Sequence, residues 1–173
     1  RGWSYGTSVA DPRTGEIIKG HVSLGSLRIR QDFMIALGLI EAPFADGSNK
    51  ENEALQMAIS RIKQLSAHEI GHTLGFAHNF AASANSRSSV MDYPHPNIEI
   101  QDGKISIANA YEVGIGDWDK VTVAYAYSDF PEVTNEKKAL NSILNQSADE
   151  GHRFISDQDA RPIGGAHPEA HLW

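Results

Sequence analysis

Histidines at 68, 72 and 78, within "SAHEIGHTLGFAH" (66–78), constrain the backbone more than any other feature of this chain. A helix turns 100° and rises about 1.5 Å per residue, so His68 and His72 share one face, roughly 6 Å apart along the axis. Were the helix to continue, His78 would stand about 15 Å beyond His68. No single ion with metal–nitrogen bonds of about 2 Å could then touch all three rings. Gly75 lies between His72 and His78, and glycine adopts positive φ without steric cost and commonly ends helices. The spacing therefore predicts a helix through His72, a break at Gly75 and a third histidine that returns toward the first two.

Two imidazoles four residues apart on a helix can share a zinc ion, with the intervening Glu69 beside them, as in H-E-x-x-H. At this chain's own residue frequencies, the full H-E-x-x-H-x-x-G-x-x-H pattern arises by chance in roughly 1 of 10,000 such chains. Unrelated solvated histidines are a poor account of it. Three histidine ligands leave a tetrahedral zinc one open position, which marks a catalytic rather than a closed structural site. Zinc makes water acidic enough to act as a nucleophile near neutral pH. Glu69 can take its proton and deliver it to a leaving amine. These are the parts needed to hydrolyse an amide.

The rest of the chain is consistent with an ordinary domain. Its 173 residues are 40% hydrophobic and 21% charged, a globular balance with enough chain for a core. The formal net charge of −7 argues against a nucleic-acid partner, which calls for a basic face. With no cysteine, disulfides, thiolate zinc sites and a cysteine nucleophile are excluded. No run of eighteen apolar residues predicts a transmembrane helix. The chain begins at Arg1 and ends at "AHLW", which reads as one domain over 1–173 cut from a longer protein.

"WSYGTSVA" and "EIIKGHVSLGSL" read as antiparallel strands joined by a turn at "DPRTG", followed by a short helix over "RQDFMIALGLI" and a loop at 41–50. Ser48 and Glu51 form a capping box that opens the main helix. Leu55, Ile59, Ile62, Leu65, Ile70 and Leu74 recur near helical spacing over 51–74. A polar loop at 81–89 and a proline-containing turn at 90–97 follow. Residues 98–107 are either a short strand or an irregular loop. Helices are expected over 115–130 and 134–148, and an irregular tail from Gly151.

The zinc motif, followed thirteen residues after His78 by Met91 in "SVMDYP", resembles the metzincin clan of zinc metallopeptidases. That resemblance implies an α+β zincin catalytic domain: an N-terminal strand hairpin, then mostly helices, with a long active-site helix and a methionine turn. It implies zinc on His68, His72 and His78, Glu69 as general base, and Met91 as a floor beneath the ligands. Tyr93 occupies a position where some metzincins carry a tyrosine that binds the metal at rest or stabilises the oxyanion; a turn tyrosine can also simply pack on a core. Asn79, directly after the third ligand, differs from the Glu, Asp, Ser or Pro of the better-known branches. The wider text, including "GWSYGTSVADPRTGEIIKGHVSLGSLRIRQD", "HNFAAS", "GIGDWDK" and "ISDQDARPIGGAHPEAHLW", is similar to the bacterial EcxA-type zinc-binding domain family of large exported metalloproteases. The implied activity is endopeptidase action on a peptide or protein substrate, outside the cell or in the periplasm. A zinc-binding scaffold or recruitment module without proteolysis is the alternative.

Metzincin domains carry a five-stranded sheet ahead of the active-site helix, whereas about two strands fit before Arg28. The earlier strands and first helix are expected to lie outside this chain, on its N-terminal side. Ser4–Ala10 would be the edge strand along which an extended peptide lies, or an ordinary hairpin strand. Other residues invite weaker readings. His95, between two prolines, could shape the cleft or be a surface histidine, and a second zinc site at His167 and His171 lacks a third ligand. Asp117 fits a helix N-cap and Asp119 the first turn. Asp157 and Asp159 lack an EF-hand loop and read as partners of Arg161 or as solvated.

Overall fold

Asp11 builds the first turn. Its carbonyl accepts from the N–H groups of Thr14 and Gly15, its carboxylate accepts from the N–H of Arg13, and its own N–H donates to Glu16. Gly15 takes the positive φ of 77° that the loop requires. The turn joins β1 (Tyr5–Ala10) to β2 (Ile17–Ser23), antiparallel in a register that runs from Tyr5 opposite Ser23 to Val9 opposite Lys19 and then slips, pairing Ala10 with Ile17. The computed structural model describes residues 2–40, 50–161, 163, 165, 167, 168 and 170. The loop expected at 41–50 with its capping Ser48, and His171, lie outside the described residues, apart from Lys50 in the helix. The chain divides into two compact units, Arg1–Gly75 with His95–Gly114, and Phe76–Pro94 with Ile115–Trp173.

In the first unit the second strand stops four residues short of expectation and the helix starts earlier, as α1 (Ser26–Leu39). Two hydrogen bonds at Gly25 set this boundary: the Ser4 hydroxyl accepts the N–H of Gly25, and Arg28 N–H already bonds back to the Gly25 carbonyl. Apolar Leu24 and Leu27 disguise that start as a continuing strand. Helix α2 (Lys50–Thr73) follows. Ala36 and Ile40 pack with Ala54 and Met57 of α2 and with Ile107 and Ala110 to form this unit's core. Residues 98–107 resolve into a hairpin, β3 (Glu99–Gln101) paired antiparallel with β4 (Lys104–Ser106).

The face of α2 that is buried is not its most apolar one. Leu55, Ile59, Ile70 and Leu74 are exposed, whereas Ala54, Met57, Ala58, Arg61, Gln64, Leu65, His68 and Glu69 are buried. This stripe holds the 3–4 residue spacing of a helix face and ends on two residues of the zinc motif. The hairpin comes close to the end of this helix and needs glycine to do so. A Cβ on Gly6 would lie 2.0 Å from the Glu69 carbonyl oxygen, and one on Gly20 would lie 2.8 Å from Thr73 Cβ. Glycine at both positions lets the strands lie directly against the helix that carries His68 and His72.

A polar network sits beside this core. Arg61 stacks over Tyr111, 5.2 Å from its centroid, and bonds Gln64 on the next turn. Asp32 on α1 is buried and lies 3.5 Å from Arg28. Burial lifts the Asp32 carboxyl above its ordinary range, and the opposing pull of Arg28 and Arg61 is weaker. Its folded pKa therefore exceeds its unfolded value of about 3.9. The stability it contributes is present below that value and is lost as pH rises through the folded one.

The second unit holds a 3-10 turn (Ala82–Ala84) and three helices, α3 (Asp117–Tyr127), α4 (Glu136–Asp149) and the short α5 (Asp157–Ala160). Asn135 caps α4, its side-chain oxygen accepting the Lys138 N–H. The tail is not irregular throughout: α5 interrupts it, with the Ser156 hydroxyl donating to Asp159. Phe80, Ala81, Ile155 and Ala160 form this unit's core, with Tyr93 and Ala170 packed against them. The fold is thus α+β, a strand hairpin followed mostly by helices. Among the described residues no helix is long and apolar enough to cross a membrane.

Candidate metal centre

Helix α2 ends at Thr73, and Gly75 follows with φ 86°, its N–H bonding back to the His72 carbonyl at 3.1 Å. The break is present where the histidine spacing demands it. Across it, His68, His72 and His78 each offer one ligand nitrogen, and these nitrogens lie within 4.8 Å of one another. Nε2 of His68 and Nε2 of His72 are 3.1 Å apart with the rings nearly perpendicular. Two nitrogens on a tetrahedral ion at zinc–nitrogen distances would be about 3.3 Å apart. Three converging imidazoles, a neutral nitrogen donor set, fit a divalent metal of zinc's size. Among the described residues no other trio of His, Cys, Asp or Glu converges in this way.

His78 is held on both ring nitrogens. Asp157 carboxylate oxygens lie 2.9 and 3.0 Å from Nδ1, and the Tyr93 hydroxyl lies 2.8 Å from Nε2. Tyr93 packs its ring on the Phe80 cluster, and its phenol reaches a candidate ligand. Asp157 departs from expectation. It does not serve as a partner of Arg161 or as a purely solvated charge, because its carboxylate pairs with the His78 ring. Glu69 is buried, 4% exposed, one residue beyond His68 on α2. His95 is exposed.

Three buried polar side chains fix the segments that carry His78, Met91 and Tyr93. Asn79 is fully buried. Its N–H donates to the Met91 carbonyl, its side-chain amide donates to the Arg153 carbonyl, and its side-chain oxygen accepts from Ala81 and Ile155. The residue after the third ligand therefore ties that ligand to the methionine turn and to segment 153–155. Asp92 accepts the N–H groups of Ser83 and Tyr93, both at 2.8 Å. Asp119 accepts from the Ser89 hydroxyl at 2.5 Å, the Val90 N–H at 2.9 Å and the Gly116 N–H at 2.7 Å. Ser89 in turn accepts the Met91 N–H. Met91 itself is 3% exposed.

Asp117 is consequently not the N-cap. Gly116 holds that position, Asp119 bonds back to it from the first turn, and Asp117 pairs on the surface with Lys120. Glycine is required at 116 because a Cβ there would lie 2.1 Å from the Ser88 carbonyl oxygen. The Lys120 ammonium holds the exposed Asp117 carboxyl below its ordinary range. Hydrophobic periodicity points to none of Asn79, Asp92 and Asp119. The usable signal is that turn-forming Asn and Asp follow the third ligand and the turn methionine directly.

A family model described as Met-zincin matches residues 50–173, more than half of the chain. No curated protein and no solved structure matches it.

Proposed function

This chain belongs to the Met-zincin family, and we propose that it acts as a zinc-dependent metalloendopeptidase, with His68, His72 and His78 holding the metal. The convergence of three ring nitrogens within 4.8 Å carries this reading. A zinc ion there would supply an acidified water and polarise the carbonyl under attack. Glu69, adjacent in sequence to His68 and shielded from solvent, would take a proton from the attacking water and return it to the leaving amine. Tyr93, whose hydroxyl already lies at His78 Nε2, would donate a hydrogen bond to the oxyanion as it forms. The free edge of β1, which pairs only with β2 among the described residues, offers N–H and C=O groups to an extended peptide beside α2.

Metal removal tests the proposal. Treatment with a zinc chelator should abolish cleavage of an unfolded protein substrate, and one equivalent of zinc should restore it. Stoichiometric zinc with no turnover on any peptide would instead select the scaffold reading.

A further inference from the structure

We infer that Asp157 is a positioning residue that sets the tautomer and aim of His78, so that its Nε2 lone pair faces the metal. This rests on the reading of His68, His72 and His78 as ligands. A carboxylate only accepts hydrogen bonds, so with oxygens 2.9 and 3.0 Å from Nδ1 it requires the proton on Nδ1. The neighbour on the other side agrees, because the Tyr93 hydroxyl at 2.8 Å can donate to an unprotonated Nε2. Outer carboxylates of this kind orient histidine ligands at zinc sites, and their loss typically costs 10–100-fold in metal affinity.

The contact is built by the fold rather than left to a mobile surface chain. Although the Asp157 side chain is 60% exposed, its backbone approach is fixed two residues earlier. Phe80 N–H donates to the Ile155 carbonyl at 2.9 Å, and Asn79 holds both the Arg153 carbonyl and the Ile155 N–H. The two residues after the third ligand thereby grip the segment that delivers a carboxylate to that ligand's far nitrogen. Asp159, on the same short helix, bonds Ser156 and serves as the internal comparison.

The test is zinc affinity of the full chain, measured by competition with a chromophoric chelator, for wild type, D157A, D157N and D159A. D157A should bind zinc 10–100-fold more weakly, with D157N closer to wild type because its amide oxygen still accepts from Nδ1, and D159A unchanged. Nitrogen-15 spectra of the metal-free protein should show His78 protonated on Nδ1 in wild type and a tautomer mixture in D157A. Affinity of D157A within twofold of wild type, or equal losses in D157A and D159A, would overturn the inference while leaving the ligand set intact. If wild type binds no zinc, both this inference and the ligand assignment fall. Should D157A not fold, the tautomer signal of D157N decides: a fixed Nδ1 proton supports the role, and a proton on Nε2 refutes it.

Discussion

Glu69→Ala should leave zinc stoichiometry unchanged and slow peptide hydrolysis by about 10²–10⁴-fold, the usual worth of a positioned general base. That loss corresponds to about 3–5 kcal/mol of transition-state stabilisation. The prediction follows from placement. Glu69 closes the buried stripe of α2 next to His68, and Gly6 packs the first strand on its main-chain carbonyl. Removing the side chain leaves that backbone contact in place, so the change should act on the chemistry rather than on folding. Glu69→Gln, which keeps the shape and loses the basicity, should be impaired nearly as much. Steady-state kinetics beside a zinc assay give both readings, and a Glu69→Ala enzyme that cleaves at the wild-type rate would remove Glu69 as the base.

The largest stability effect is expected at Asp119. Its carboxylate accepts three hydrogen bonds while only 4% exposed. A buried donor stranded by Asp119→Ala costs about 1–3 kcal/mol. Because one of the three, the Gly116 N–H, is only half-buried, the whole should fall toward the lower end of the sum, about 3–5 kcal/mol. For a chain of this size that lowers the melting temperature by roughly 10 °C. Zinc affinity should fall with it, because the released segment passes through Ser89 to Met91, whose carbonyl holds Asn79 next to His78. Asp117→Ala, which breaks only the surface pair with Lys120, should melt near wild type. Calorimetry of the two variants decides the matter: equal melting temperatures would mean that Asp119 does not clamp the turn.

Much of the site was legible because it obeys short-range rules. The four-residue step from His68 to His72 needs only helical geometry, and the six-residue step to His78 needs only a glycine able to take positive φ. The main helix was equally readable from its repeating leucines and isoleucines. Its buried side was not, because those residues give the period and not the partner. Ala54 and Met57 pack on α1 and on Ile107 and Ala110, and the hairpin comes within a glycine's reach of Glu69 and Thr73. The α1 boundary was misplaced for a related reason, since Leu24 and Leu27 suit a strand as well as a helix start.

What the sequence concealed is long-range. Asp157 lies 79 residues from His78, and Asp119 lies 30 from Ser89. Local rules made them a partner of Arg161 or a solvated charge, and a first-turn acid. The third of these polar anchors, Asn79, stood out because it follows a ligand directly. Its work, joining the methionine turn to segment 153–155 through one buried amide, depends on chain far away in sequence.

Diffraction data collected on both sides of the zinc absorption edge, from crystals grown with zinc, test the central claim most directly. A single anomalous peak should appear about 2.0–2.1 Å from one ring nitrogen of each of His68, His72 and His78. A peak held by two of these rings with His78 turned away, or a metal bound elsewhere on the chain, would contradict the account.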